Sequence, residues 1–271
     1  MLYQLDIYTV NIMIMLKMTS NLNNSTHDYL SPTIKKFINY FSNNNSFAIS
    51  CNNFLNEDNH SMYYVYTELI NVCQLNYFSK ICYLTTDEYF FKVVNKDTFK
   101  YNYLCKKISD INKTTQIFDF IVSDIELDDC NFFCLVVSIL EVQKMGGSCV
   151  IKLKNYDTKF SVQTIFMLCS SYFQVYMCYP ESALTYTNDV FIVCKKKMCN
   201  HNLKKMITTK NILLTNSLSV DSIIKNNIPI ELFNKLSLIN IINFKKKNNC
   251  NRKKSFSDKE ISKWLSINNL I

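Results

Sequence analysis

Three charged residues lie where predicted strands of this chain end or begin, and their types suit them to proton chemistry. Asp124 closes the apolar run IFDFIVSD, Lys152 lies near the end of SCVIKL, and Asp189 opens DVFIVC. A lysine that shares a crevice with carboxylates can hold, donate or accept a proton. The alternative is structural, because a strand-end aspartate often caps a helix and a single lysine at a sheet edge is common.

The segments around these residues alternate between strand and helix patterns. Predicted strands are IFDFIVSD, SCVIKL, QVYMCYP and DVFIVC, and predicted helices are NFFCLVVSILEVQKM and FSVQTIFMLCSSYF. This alternation indicates an α/β sheet. The last two strands are separated only by ESALTYTN, which favours an antiparallel hairpin. Ligands of open α/β sheets bind outside the carboxyl ends of the strands, and an antiparallel last strand begins at that same edge. The three charged residues are therefore expected to converge.

The flanking regions have weaker patterns. Before the middle third we expect a helix at SPTIKKFINYF, a strand at SFAIS, an aromatic-rich helix around Met62 to Phe78, and a strand at KICYLTTD that ends at Asp87. Beyond Lys197 the pattern fades until SFSDKEISKWLSI, where Ser257 and Glu260 have the spacing of a capping box.

The chain has only two glycines, and they are adjacent, at Gly146 and Gly147. They follow a predicted helix and precede the strand that carries Lys152. Glycine adopts the left-handed backbone conformation without a steric penalty. We therefore expect the pair to end the helix and to allow a tight turn into the strand.

Length and charge suggest one large domain with appendages. The chain has 271 residues, is 48% hydrophobic and has a formal net charge of +8. We expect an N-terminal extension at residues 1–28, a principal domain at 29–200 and a basic C-terminal extension at 201–271. The basic clusters CKKKMCNHNLKK and FKKKNNCNRKK suit either a polyanion such as RNA or an ordinary solvated surface.

Cysteine usage and hydropathy bear on the compartment and on metals. Most of the twelve cysteines lie inside apolar runs, where cysteine behaves as a small buried hydrophobe. A reducing compartment such as the cytoplasm is therefore expected. The segment CKKKMCNH lacks the paired spacing of a zinc site, so no metal is expected. The N-terminal run IYTVNIMIML is too short to span a bilayer, and we expect no membrane segment.

The segments FDFIVSD, MGGSCVIKL and YPESALTYTNDVFIVC together resemble the later motifs of the FtsJ-like ribose 2′-O-methyltransferases. That family joins a strand ending in Ser-Asp, a Gly-Gly turn into a strand with lysine, and a Lys-Pro-x-Ser…Ser-x-Glu-x-Tyr-hydrophobic strand. The resemblance covers about Ile117 to Cys194. It implies a Rossmann-like sheet of the S-adenosylmethionine-dependent methyltransferases, mostly parallel with an antiparallel final strand and with helices on both faces.

The resemblance also implies a catalytic set. The family has a Lys-Asp-Lys-Glu set whose first lysine lies in a Ser-Arg-x-x-x-Lys-Leu helix, and SPTIKKF offers Lys36 at that spacing, with Lys35 as the competing choice. The set carried over is Lys36, Asp124, Lys152 and Asp189. In this set Lys152 is the base that activates the ribose hydroxyl. Lys36 and Asp124 tune the electrostatics around the Lys152 amine, and Asp189 orients that amine. Asp189 stands where the family has glutamate, which is longer by one methylene.

The cofactor turn departs further from the family. The family places a glycine-rich turn after its first strand, where the backbone approaches the methionine moiety closely, whereas SFAISCNNFLNEDNHSMYYVY contains no glycine. Asparagine tolerates unusual backbone angles, so Asn52, Asn53 or Asn59 are the candidates to replace it. Asp87 is the expected ribose-hydroxyl ligand, with Glu88 as its competitor. Asp124 is assigned to the cofactor as well as to catalysis.

The resemblance therefore predicts transfer of a methyl group from S-adenosylmethionine to a ribose 2′-hydroxyl of RNA. The expected substrate is capped mRNA or rRNA, most of all the 5′ cap of a viral or viral-like transcript. A viral replication or capping subunit is an expected partner, and the host cytoplasm is the expected location. The first alternative is an inactive methyltransferase-like subunit that binds RNA or acts as a scaffold. The second is an unrelated Rossmann-like protein whose Asp and Lys are structural.

Overall fold

A computed structural model provides the coordinates of the chain. The residues it describes are 2–4, 61–75, 80–85, 101–125, 127–153, 156, 158–180, 182, 190–198, 203–215, 229–249 and 257–268.

The described strands form a single mixed sheet. They are β1 (Leu2–Gln4), β2 (Lys80–Leu84), β3 (Tyr101–Cys105), β4 (Phe118–Ser123), β5 (Gln143–Leu153), β6 (Tyr172–Cys178) and β7 (Val190–Lys197). Their order across the sheet is β1-β6-β7-β5-β4-β2-β3. Strands β2 to β6 run in one direction, whereas β7 and the edge strand β1 run opposite to them. The predicted mostly parallel sheet with an antiparallel final strand is confirmed.

Helices cover both faces of this sheet, as predicted. They are α1 (Ser61–Val72), α2 (Ile108–Lys113), α3 (Asp129–Val142), α4 (Lys159–Ser171), α5 (Leu203–Thr215), α6 (Ile230–Asn249) and α7 (Asp258–Ile267). Helix α1 packs on one face, and buried side chains of α2 to α6 belong to the core on the other. The predicted helix at SPTIKKFINYF and the predicted strand at SFAIS lie outside the described residues.

Sequence and burial agree best at the centre of the sheet. Strand β4, FDFIVS, has apolar side chains on both faces and is almost entirely buried, as expected of a parallel strand covered by helices on each side. Beyond the irregularity at Phe118, the side chains alternate between the faces: Phe120 and Val122 belong to the core that contains α1, whereas Ile121 belongs to the opposite core.

Local capping sets where two helices begin. The Asp128 side chain accepts a hydrogen bond of 2.7 Å from the backbone N–H of Asn131 at the start of α3. Ser257 and Glu260 form the predicted reciprocal capping box at the start of α7. Both arrangements satisfy backbone N–H groups that the first helical turn leaves without partners.

The glycine pair has a different role from the predicted one. Helix α3 ends at Val142, and the extended residue Gln143 follows it, so the glycines do not terminate the helix. They lie inside β5, where its register with β4 shifts at an irregularity. Gly146 does adopt the left-handed conformation, with φ +77°. A Cβ on Gly147 would lie 2.8 Å from the carbonyl oxygens of both Asp119 and Lys144. The pair therefore permits a bulge rather than a helix cap.

The segments outside the predicted principal domain contact its elements. Leu2–Gln4 pairs antiparallel with β6 at the sheet edge. Met206 of α5 and Leu232 of α6 belong to the core beside α3 and α4. The Trp264 ring of α7 packs edge-on against Tyr64 of α1, with ring centroids 6.0 Å apart. The division into residues 1–28, 29–200 and 201–271 remains a prediction.

Candidate active site

Three polar residues occupy the carboxyl ends of three adjacent parallel strands. Leu84 of β2 pairs with Ser123 of β4, and Ser123 in turn pairs with Ile151 of β5. The next residue along each strand is Thr85, Asp124 and Lys152, so these three lie at one level across the edge of the sheet. Because side chains alternate between the faces of a sheet, all three belong to the face on which α1 packs.

A direct hydrogen bond joins the first two of these residues. The Thr85 hydroxyl donates to Oδ2 of Asp124 over 2.8 Å. The backbone continues the ladder for one residue past each strand, since Thr85 N–H donates to Cys105 C=O and Asp124 N–H donates to Leu84 C=O. Thr85 is only 3% exposed. The Asp124 carboxylate is thereby tied to the end of the neighbouring strand.

This pair lies at the switch point of the sheet. The chain passes from β2 to β3 on one side, then returns to place β4 on the other side of β2. In open α/β sheets the ligand crevice lies outside the carboxyl ends of the strands at the point where the winding reverses. Thr85 and Asp124 are the residues that follow the two strands on either side of that point.

The residues expected to form the site are only partly within the described structure. Asp124 and Lys152 occupy neighbouring positions at the carboxyl edge. Lys36, Asp189, Asn52, Asn53 and Asp87, with the competing residues Lys35, Asn59 and Glu88, lie outside the described residues. Val190, which follows Asp189 in the sequence, pairs with Leu153 next to Lys152. The convergence of the complete set stays a prediction.

Thr85 is a site residue that the sequence did not reveal. The strand expected to precede the cofactor turn was SFAIS, whereas the described strand beside β4 at the switch point is β2. In a doubly wound sheet the first strand lies in that position, and its following turn approaches the ligand. Thr85 is the residue that follows β2 at this position. The sequence signal available was the apolar run KICYL followed by two threonines, which carries no distinctive motif.

Aromatic side chains lie on the same face of the sheet as these residues. Tyr66 of α1 packs edge-on against Phe191 of β7, with ring centroids 6.0 Å apart. Tyr83, two residues before Thr85 on the same face, is buried, and this burial raises the pKa of its hydroxyl well above the ordinary value. Tyr83 is therefore protonated at neutral pH and unsuited to act as a base.

A buried carboxylate anchors another loop at the same edge. Oε2 of Glu68 in α1 accepts hydrogen bonds from the backbone N–H of Ser182 at 3.0 Å and from its hydroxyl at 2.8 Å. Ser182 follows β6, whose carboxyl end lies at the edge that carries Asp124. It belongs to YPES, which resembles the family's Lys-Pro-x-Ser but has Tyr179 in place of the lysine. Glu68 therefore ties α1 to the segment that precedes Asp189.

Two lysines of the first basic cluster make hydrogen bonds to backbone carbonyl groups of the fold. Lys197 is only 9% exposed. Its ammonium group donates hydrogen bonds to the carbonyl oxygens of Leu140 and Gln143 at the end of α3. The Lys195 ammonium donates to Cys73 C=O over 2.7 Å, just beyond α1. Cations that bind the last carbonyls of a helix stabilise it. These lysines are consequently committed to structural contacts.

Cysteine, metal and membrane expectations can be compared with the described part of the chain. All nine described cysteines are free, and seven of them are buried, in agreement with their prediction as small buried hydrophobes. Cys194, the first cysteine of CKKKMCNH, lies in the buried core of β7. No group of three or more potential ligands among His, Cys, Asp and Glu occurs in the described ranges. The helices described there include none that is long and apolar enough to cross a membrane.

Comparison with known proteins gives a limited match in sequence. No family model matches the chain. The uncharacterized protein R383 of Acanthamoeba polyphaga mimivirus is 28% identical over 139 residues, which cover 48% of this chain and 40% of that protein. The chain thus matches less than half the length of this curated relative.

The similarity to solved structures is weak, with TM-scores below 0.5. The O-methyltransferase TomG of Streptomyces achromogenes is 7% identical, with a TM-score of 0.36, and the match covers 62% of this chain and 97% of TomG. An rRNA methylase from Streptococcus thermophilus has 10% identity, a TM-score of 0.32, and coverage of 44% and 74%. The fibrillarin pre-rRNA processing protein of Methanococcus jannaschii has 12% identity, a TM-score of 0.30, and coverage of 45% and 67%. Similarities this weak carry no argument about function.

Proposed function

We propose that this chain is an S-adenosylmethionine-dependent methyltransferase that modifies a ribose 2′-hydroxyl of RNA. The observation that carries the proposal is the alignment of Thr85, Asp124 and Lys152 at one level of the carboxyl edge, with the first two at the switch point. The resemblance from Ile117 to Cys194 supports the choice of reaction, because Asp124 and Lys152 are the matched catalytic positions within it.

The side chains at the switch point are suited to S-adenosylmethionine. That molecule carries positive charge on its sulfonium and its α-ammonium group, and the Asp124 carboxylate is complementary to a cation. When bound, it supplies an electrophilic methyl group. Asp124 would hold the charged end of the cofactor, while Asp87, which follows Thr85 by two residues in the sequence, stays the proposed ribose ligand. Asn52 and Asn53 stay proposed contacts.

Lys152 is the proposed base. Its amine, in the neutral form, takes the proton of the ribose hydroxyl as the oxygen becomes nucleophilic. Lys36 and Asp124 are the proposed electrostatic partners of this amine. Asp189 is the proposed orienting carboxylate, and the Glu68–Ser182 hydrogen bonds support the segment that leads to it.

The finer assignments follow from the resemblance. We propose capped mRNA or rRNA as substrate, a viral replication or capping subunit as partner, and the cytoplasm of the host as location. The net charge of +8 suits a polyanion. Since Lys195 and Lys197 are committed to the fold, contacts to the phosphates are expected from other lysines.

A specific observation favours the second candidate, an inactive RNA-binding or scaffold subunit. The residue that follows β2 at the switch point is Thr85, a β-branched residue whose hydroxyl donates a hydrogen bond to Asp124. The family places glycine in its cofactor turn so that bare backbone can approach the methionine moiety. A side chain at this position would reduce the space available to a cofactor.

A methyl-transfer assay separates these candidates. Incubation of the protein with capped RNA and S-adenosylmethionine that carries a labelled methyl group is expected to label the RNA. RNA whose acceptor nucleotides are already 2′-O-methylated should remain unlabelled, because no hydroxyl is available. RNA binding without any labelling would contradict the enzyme and support the scaffold. Equal labelling of both RNAs would refute the ribose hydroxyl as acceptor.

A further inference from the structure

The direction of the Thr85 hydroxyl is set by the sheet itself. The backbone N–H of Thr85 donates to Cys105 C=O over 3.1 Å, which extends the pairing of β2 with β3. A β-branched side chain has few rotamers on an extended backbone, and Thr85 is 3% exposed. Its hydroxyl is therefore held in place before any ligand binds.

The carboxylate of Asp124 receives this fixed hydroxyl. Asp124 is the first residue after β4, and its side chain has two rotatable bonds. The 2.8 Å hydrogen bond to Oδ2 selects one orientation of the carboxylate. The backbone bond from Asp124 N–H to Leu84 C=O holds its main chain against β2 as well.

We propose that Thr85 is a positioning residue of the active site, whose hydroxyl fixes the Asp124 carboxylate in the crevice between β2 and β4. This inference rests on the proposed methyl transfer. Thr85 acts through Asp124, and it sets the carboxylate at the level of Lys152 on the neighbouring strand. A displacement of about 1 Å in such a group lowers a reaction rate by about a hundredfold.

The opposite role would be a barrier. If the Thr85 side chain only obstructs the cofactor, its removal would strengthen cofactor binding and raise the rate of methylation. If Thr85 positions Asp124, its removal would lower that rate. The two roles thus predict opposite effects of Thr85→Gly, which deletes the whole side chain, that is, Cβ with its hydroxyl and its methyl group. Thr85→Val keeps the shape and removes the donor, and Thr85→Ser keeps the donor in a smaller side chain.

The kinetic test compares these three variants with the unmodified protein in the RNA methylation assay. Thr85→Val is expected to lower kcat by about tenfold to a hundredfold, with KM for RNA nearly unchanged, and Thr85→Ser is expected to retain most of the rate. Thr85→Gly should be at least as impaired as Thr85→Val. Full activity of Thr85→Val, or tighter binding of S-adenosylhomocysteine by Thr85→Gly, would refute the positioning role of Thr85.

Crystal structures of the ligand-free variants give a readout that does not depend on activity. The Asp124 carboxylate should keep its orientation in Thr85→Ser and adopt another in Thr85→Val. An unchanged carboxylate in Thr85→Val would refute the positioning role even if the chain proved to be an enzyme. If the unmodified protein transfers no methyl group, the proposed function fails, and the carboxylate orientations still decide whether Thr85 fixes Asp124.

Discussion

Replacement of Lys152 by alanine is expected to lower the rate of methyl transfer to RNA by about a hundredfold to ten-thousandfold. This range is the usual contribution of a positioned general base. Lys152 is partly buried near the end of β5, opposite Phe191 of β7. Alanine at that position removes the amine but keeps the backbone pairing, so the cofactor affinity and the thermal unfolding midpoint should change little.

Lys144→Ala is the matched control for this experiment. Lys144 lies in the same strand but near its amino end, its side chain is 66% exposed, and its partner is Asp119 rather than a residue of the site. Initial rates of labelled methyl incorporation into capped RNA measure both variants. Loss of activity in Lys152→Ala alone supports the assignment. Equal incorporation by Lys152→Ala and the unmodified protein would remove Lys152 from the mechanism.

Replacement of Gly147 by alanine is expected to destabilise the fold by about 3 kcal/mol, the upper end of the usual cost of overpacking. The added Cβ would meet the Asp119 and Lys144 carbonyl oxygens at 2.8 Å and Cγ of Gln143 at 2.9 Å. Backbone oxygens within paired strands cannot shift independently. The bulge between β4 and β5 must then open.

Gly146→Ala isolates the effect of backbone conformation. Gly146 has φ +77°, and no atom lies within 4 Å of the position that its Cβ would occupy. Its substitution should therefore cost only about 1 kcal/mol for the left-handed conformation. Urea unfolding of both variants measures the two free energies. A Gly147→Ala protein as stable as Gly146→Ala would show that the bulge is not tightly closed.

The strands that hold the site were predictable because their side chains are apolar on both faces. Strand β4 contains the apolar run FIV after Asp119, and the second half of β5 contains the apolar run CVI before Lys152. Such buried apolar runs are typical of central parallel strands. The capping box at Ser257 and Glu260 was predictable for a related reason, since its interactions span only a few residues.

Other elements were missed because their stabilising contacts are distant in sequence. Strand β3, YNYLC, is short and lacks a regular alternation, and its pairing with β2 defines it. Helix α6 did carry a signal that was overlooked, since Leu232, Leu236 and Ile239 recur at helical spacing and are buried. In helix α5, the mostly polar LKKMITTKNILLT includes a buried lysine, Lys210, whose partner is Glu141 of α3.

Among the candidate site residues, the two charged ones could be predicted from the sequence, whereas the hydroxyl of Thr85 could not. Asp124 and Lys152 stand out because charged side chains interrupt or close apolar strands. Thr85 is identified as a candidate only by the order of the strands, which places β2 beside β4. Likewise, the adjacent glycines indicated unusual backbone, but only the register shift between β4 and β5 distinguishes a bulge from a helix cap.

The central claim is that the crevice beyond β2 and β4 holds S-adenosylmethionine with the help of Asp124, and titration calorimetry with S-adenosylhomocysteine tests it most directly. The unmodified protein should bind the ligand, and Asp124→Asn should bind it about tenfold or more weakly, the usual effect of losing one charge-assisted hydrogen bond. Absence of heat and of any thermal shift with the unmodified protein at about millimolar ligand, a concentration that detects even weak binding, would contradict the claim.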